Sequence, residues 1–138
     1  MNKKVWIGFI VVFIVLEILD FLVHGVILAG AYKSIQGVFR PDMSSKMWMY
    51  YVINIVTAFF FTFIFSKGYE KKGIMEGVRY GFYIGVWMSV GMALGTDSMI
   101  KLGRSMTIQW LIYGVIEYII AGIALAIVFK EKQKETTA

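Results

Sequence analysis

The chain has 138 residues, 59% of them hydrophobic and 17% charged, with a formal net charge of +5 and a mean hydropathy of +0.71. This composition excludes an ordinary water-soluble core, because too little polar surface is present to cover it. The absence of cysteine excludes disulfides, zinc–thiolate sites and thiol redox chemistry. The positive residues lie between hydrophobic blocks and not along one face, which argues for a lipid bilayer as the partner and against nucleic acid.

Asn2, Lys3 and Lys4 precede the first apolar run, residues 5–29. A bilayer core about 30 Å thick needs roughly 20 helical residues, so this run is long enough to span it with some tilt. A signal peptide ending at Ala29-Gly30-Ala31 is the competing reading. Glu17, Asp20 and His24 interrupt the approach to that site, so the run is read as a retained span.

Residues 30–46 form the first connection. Ile35, Val38 and Phe39 share one helical face, with Lys33, Gln36 and Arg40 elsewhere, which predicts an interfacial amphipathic segment. Pro41, the only proline, breaks it, and Ser44 or Ser45 is placed to cap the next helix. The second span, 47–66, opens on Trp48, Tyr50 and Tyr51, as an interfacial aromatic belt would, and carries Asn54 slightly outward of its middle. A basic turn, Lys67 to Lys72, leads into the third span, 73–95.

That third span has a small residue at every fourth position: Gly73, Gly77, Gly81, Gly85, Ser89 and Ala93. The stripe advances about 40° per step on an α-helix, or about 200° over its length. Small residues let two membrane helices approach backbone to backbone. Since one straight neighbour cannot follow such a drift, the expectation is that one half of the stripe packs one helix and the other half another, the first and fourth spans being the neighbours. Arg79 is expected to pair with Glu76 at i−3. Residues 96–106 form the next connection, 107–129 the fourth span, and 130–138 a flexible charged tail. The fold class expected is an all-α integral membrane four-helix bundle forming a single transmembrane domain over 1–138.

The N-terminus, the 67–79 region and the tail hold Lys3, Lys4, Lys67, Lys71, Lys72, Arg79, Lys130, Lys132 and Lys134, nine in all, against five elsewhere: Lys33, Arg40, Lys46, Lys101 and Arg104. The positive-inside rule therefore places both termini in the cytoplasm.

Function is sought in the polar residues that the spans carry. Glu17, Asp20 and His24 stand at i, i+3 and i+7, one stripe on the first helix. Glu117 stands near the middle of the fourth span with Gly114, Ala121 and Ala124 on its face, at a depth similar to Glu17. With Asn54 these residues make one midplane constellation geometrically possible, containing three acids and no Lys or Arg at that depth. Buried carboxyls without a cationic partner take up protons or bind a cation.

Four readings follow. The first is a structural or accessory role, in which the polar groups hydrogen-bond across helices, within this chain, a homo-oligomer or a larger membrane complex. The alternative is a proton-coupled transporter of a cation or small solute, using Glu17 and Glu117. The third is a metal site of Glu17, Asp20, His24 and Glu117, which echoes the carboxylate–histidine sites of helix bundles. The fourth is a membrane enzyme, for which no nucleophile motif exists. No cofactor is expected: His24 is the only histidine, and nothing singles out a second haem ligand. The nine methionines read as gap-fillers, and Tyr83 and Trp87 as packing or lipid-facing residues.

Three stretches carry a resemblance: His24-Gly-Val-Ile-Leu-Ala-Gly-Ala-Tyr32, the glycine-rich segment from Lys67 to Gly85, and the segment from Trp110 through Glu117 to Phe129. Together they resemble a family of small bacterial four-span membrane proteins with no assigned activity. The resemblance implies a four-helix fold in a bacterial inner membrane and transfers no functional residues. A looser similarity is to small multidrug resistance transporters, which have four short helices and an embedded Glu in the first, the place Glu17 takes here. The long first connection and the added Asp20 and His24 depart from that pattern.

Overall fold

The computed structural model describes residues 1–131. The expected flexible tail lies outside the described residues from 132 onward. Among the described residues the fold is all-helical, with five α-helices joined by short π and 3-10 segments. Three of the helical stretches, Lys3–Ile27, Met43–Gly68 and Arg104–Phe129, are long and apolar enough to cross a membrane.

Helix α1, Lys3–Asp20, starts where the Asn2 side chain accepts the Lys4 N–H at 3.2 Å. It does not end at Asp20. The backbone continues without a break into a π-helical stretch, Phe21–Ile27, and stops only at Leu28. Helix α2, Ala29–Ser34, and a 3-10 turn, Gln36–Val38, follow. The amphipathic face expected across 30–46 is therefore not a single helical face, because the helix ends at Ser34. Ile35 and Phe39 instead pack onto a small core of Val23, Leu28, Leu102 and Met106, so the connection folds back over the ends of α1 and α5.

Helix α3, Trp48–Gly68, begins without a side-chain cap. Ser44 and Ser45 lie one turn earlier, in the 3-10 turn Met43–Lys46, where the Ser45 hydroxyl donates to the Asp42 carbonyl at 2.7 Å. The turn to α4, Ile74–Met99, uses left-handed backbone at Lys71 (φ 62°) and Gly73 (φ 79°). Glu76 stabilises this turn. Its carboxylate accepts the N–H of Glu70 at 2.6 Å and of Lys72 at 2.9 Å. Glu76 is thus spent on backbone donors at a helix start and not on Arg79, since the ion pairs among the described residues are Arg40–Asp42, Lys71–Glu131 and Lys72–Glu70. Gly73 likewise leaves the packing stripe. A Cβ there would meet nothing within 4 Å, and the residue serves the turn.

The remaining stripe follows one partner throughout. Helix α5, Arg104–Phe129, runs antiparallel to α4 and presents Gly114, Tyr118, Gly122 and Ala126, also four apart. A Cβ at Gly77 would collide with the Gly122 carbonyl, and one at Gly81 with the Tyr118 carbonyl. At Gly85 it would sit 3.0 Å from Tyr118 Cβ, and Ser89 lies directly against Gly114. The expectation of two neighbours fails because the facing helix carries a stripe of the same period. Two stripes that drift in step stay in contact when the helices coil about each other.

On its other side α5 meets α1, and α1 meets α3, giving the lateral order α3–α1–α5–α4. The main core lies toward the end shared by both termini: Val5, Val12 and Leu16, Phe61 and Phe65, and Ala121, Leu125 and Phe129. Tyr80 closes this end, packing on Phe61 and Phe65 and donating its hydroxyl to the Phe61 carbonyl at 2.6 Å. The last carbonyl of α5, at Phe129, accepts from Lys4 Nζ at 3.0 Å and from the Tyr69 hydroxyl at 3.1 Å, satisfying an orphan helix-end acceptor with one cation at the negative end of the dipole.

Candidate functional site

The constellation draws its residues from α1 with its π-helical continuation, α3 and α5. Asn54 projects from α3 between two acids of α1. Its amide nitrogen donates to Glu17 Oε1 at 2.9 Å and to Asp20 Oδ2 at 2.8 Å, which uses both amide hydrogens. Glu17 and Asp20 stand three apart on one helix face, so a single amide reaches both.

Glu117 arrives from α5 and is buried, 7% exposed, whereas Glu17, Asp20, His24 and Asn54 are half-buried. One carboxylate oxygen of Glu117, Oε1, has no hydrogen-bond partner among the described residues. Oxygen atoms of Asp20 and Glu117 and a ring nitrogen of His24 all lie within 4.8 Å of one another. The five residues singled out in the sequence therefore form one cluster. Glu17 joins through Asn54, and the other three acid and imidazole groups face each other. No Lys or Arg forms a salt bridge with these acids among the described residues.

Two further side chains complete the cluster. The Tyr32 hydroxyl lies 2.5 Å from His24 Nδ1, and Trp110 Nε1 donates to the same hydroxyl at 2.7 Å. Indole can only donate, so the Tyr32 oxygen accepts from Trp110 and keeps its own proton available for Nδ1. Burial pushes the Tyr32 hydroxyl up to about 12, which keeps that proton in place. The His24 ring stands edge-on to Trp110, with centroids 5.8 Å apart. Trp110 was legible in principle: it precedes Glu117 by seven residues and so shares its helix face. Tyr32 had no such signal, because its position depends on the chain folding back after Leu28.

The π-helical stretch also matters here. It begins just after Asp20 and carries His24. Directions computed at 100° per residue stop applying past Asp20, and the wider turn sets how His24 meets the acids. Single π insertions in α-helices often mark functional sites. Gly114, expected on the face of Glu117, is instead turned to Ser89 of α4, while Ala121 is fully buried in the core with α1.

Chemically, the arrangement offers carboxylate oxygens and one imidazole between helices, with neutral donors from Asn54, Tyr32 and Trp110. It can hold protons or a cation. It contains no activated hydroxyl or thiol nucleophile. No protein-family model, curated protein or solved structure matches this chain.

Proposed function

We propose that this chain is a four-span integral membrane protein of a bacterial inner membrane, with both termini cytoplasmic, and that its polar cluster binds a cation in exchange for protons during transport. In this reading α4, the third span in chain order, joins the three stretches already long and apolar enough to cross a membrane. It is as long as α5 but falls below the other three helices in apolar character, being diluted by glycine and tyrosine. Its outward Tyr83 and Trp87, 67% and 68% exposed, suit a lipid-facing side. The excess of Lys and Arg near the termini and the 67–79 region supports the orientation.

The observation that carries the functional reading is Glu117 Oε1, a buried carboxylate oxygen without a hydrogen-bond partner among the described residues, on a side chain that stands beside Asp20 and His24. A network serving only to hold helices together satisfies its members, because an unpaired buried polar atom costs about 1–3 kcal/mol. Here one member is left open, on a side chain that faces a second carboxyl, Asp20, and the His24 imidazole. Protons or a cation complete such a site.

A structural or accessory role is the second reading, favoured by the Asn54 amide that clamps α3 to α1. The test is proton flux in proteoliposomes under an imposed pH gradient, with wild type, Glu17→Gln and Glu117→Gln side by side. Transport requires flux above protein-free vesicles and a drop of at least about 10-fold in both variants, the scale expected for loss of one essential protonatable group. Equal flux in all three would leave the structural role.

A further inference from the structure

We propose that Asp20, His24 and Glu117 form a binding site for a first-row divalent transition-metal ion, with Tyr32 positioning the imidazole; this rests on the reading of the cluster as a cation site and names its cation. Two observations carry it. The three side chains, from two helices, bring one ligand atom each within 4.8 Å of the others. Independently, Glu117 is 7% exposed and its Oε1 has no partner among the described residues, so a side chain of the cluster carries a buried acceptor without a donor.

The donor set selects the class of ion. Metal–ligand bonds of about 2.0–2.2 Å in a tetrahedral site hold ligand atoms roughly 3.4 Å apart. Contraction from 4.8 Å to that spacing is within reach of side-chain torsions. One imidazole nitrogen with two carboxylates suits Zn²⁺, Mn²⁺, Fe²⁺ or Co²⁺. Mg²⁺ prefers oxygen alone and retains its waters. Two carboxylates and a divalent ion also sum to zero charge, which removes most of the cost of burying the acids unpaired.

The surroundings of His24 fit the same assignment. Its Nδ1 is engaged by Tyr32, which leaves Nε2 for a metal. A metal-bound imidazole gives its other N–H to an acceptor, and that acceptor fixes the ring and its tautomer. The Tyr32 oxygen has two lone pairs, one taken by Trp110 and one free for a His24 Nδ1–H. Metal binding at Nε2 therefore shifts the ring proton to Nδ1 and turns the Tyr32 contact from donor to acceptor. Three protein ligands leave a coordination position open, as an ion that must enter and leave requires.

The test is titration of detergent-solubilised full-length protein with Co²⁺, read by its ligand-field absorption. The purification tag must contain no histidine, since His24 is the only one in the chain. The expected result is a saturable low-coordinate Co²⁺ spectrum in wild type, displaced by Zn²⁺ and unaffected by excess Mg²⁺. Affinity should fall about 100-fold in Asp20→Asn, His24→Gln and Glu117→Gln, and about 10-fold in Tyr32→Phe with the spectrum altered. Glu70→Gln, at the exposed turn, should bind as wild type. Circular dichroism of each variant separates loss of the site from loss of the fold. A wild-type spectrum identical to aqueous Co²⁺, or a folded Glu117→Gln that binds as tightly as wild type, overturns the proposal. Proton flux without Co²⁺ binding would reject the metal and leave the transport reading standing. Binding without flux would do the reverse.

Discussion

Helix α5 is held on its two sides by opposite means. Toward α4 it is held by close backbone approach, Gly77 against Gly122 and Gly81 against Tyr118 with no room for a further side chain, and by the small Ser89 side chain against Gly114. Toward α1 it is held by side chains, an apolar set around Leu16, Ala121 and Leu125 and, further along, the acids with His24. Dispersion between closely fitted surfaces fixes α4 on α5 at one distance. The α1 side has adjustable torsions and an open acceptor. The contrast teaches that the glycine stripe sets where α5 stands, and that α5 in turn delivers Glu117 to the groups on α1.

The largest effect is expected from breaking the tight side. Gly81→Ala places a methyl against the backbone of Tyr118 and Ile119, which cannot move as a side-chain tip can. It should cost about 1–3 kcal/mol in a reversible detergent unfolding titration. Gly91→Ala and Gly95→Ala, on the open face, meet nothing within 4 Å and should be neutral or stabilising by up to about 1 kcal/mol. Similar effects at Gly81 and Gly91 would mean that the contact with α5 does not set the cost.

On the adjustable side, Asn54→Leu removes the amide that bridges Glu17 and Asp20 while keeping the side-chain volume. A loss of about 1 kcal/mol is expected in the same titration, because two partly buried carboxyls lose a shared donor. An unchanged midpoint would show that the clamp contributes nothing to the fold.

Thr62 offers a sharper comparison, since its Oγ1 is also buried without a partner among the described residues, in the apolar core near Gly8 and Leu125. Thr62 lies among hydrocarbon, and Glu117 lies beside Asp20 and the His24 imidazole. Thr62→Val replaces the hydroxyl by a methyl of the same shape and should be neutral or stabilising by up to about 1 kcal/mol. A clear loss would reveal a partner for the hydroxyl and remove the distinction between the two orphans.

The smallest effect concerns the exposed turn beside the tight side. Hydrogen bonding to Lys72 holds Glu70 below its ordinary value, and hydrogen bonding to Lys71 does the same for Glu131. A depressed folded-state value means the contribution is present above the ordinary carboxylate range and lost as pH falls through the lowered one. Amide exchange over 68–73, corrected for its intrinsic pH dependence, should therefore speed up only on acidification below that range, while exchange in the α4–α5 interface stays unchanged. Equal acid sensitivity in both regions would contradict the division between them.

Much of this was readable beforehand. The helix limits followed from apolar runs bounded by charge, and Glu17, Asp20, His24, Asn54 and Glu117 stood out because acids and amides are costly in such runs. What could not be read came from non-local contacts. Gly73 has the spacing of the stripe, yet its backbone is needed for a left-handed turn. Glu76 has the spacing for Arg79, yet nearby backbone N–H groups claim it. Tyr32 belongs to a connection whose direction is fixed only when Ile35 and Phe39 find Leu102 and Met106.

The sequence by itself determined an all-helical chain with apolar lengths fit to cross a bilayer, and placed its acids in mid-helix, because composition and 3.6-residue periodicity are local properties. Only the tertiary structure decided that α5 answers the glycine stripe, that His24 lies on a π-helical stretch, and that the Glu117 carboxylate stands beside Asp20 with one oxygen unpartnered among the described residues. Those outcomes depend on which helix faces which and on how closely, and that is settled by packing between segments far apart in the chain.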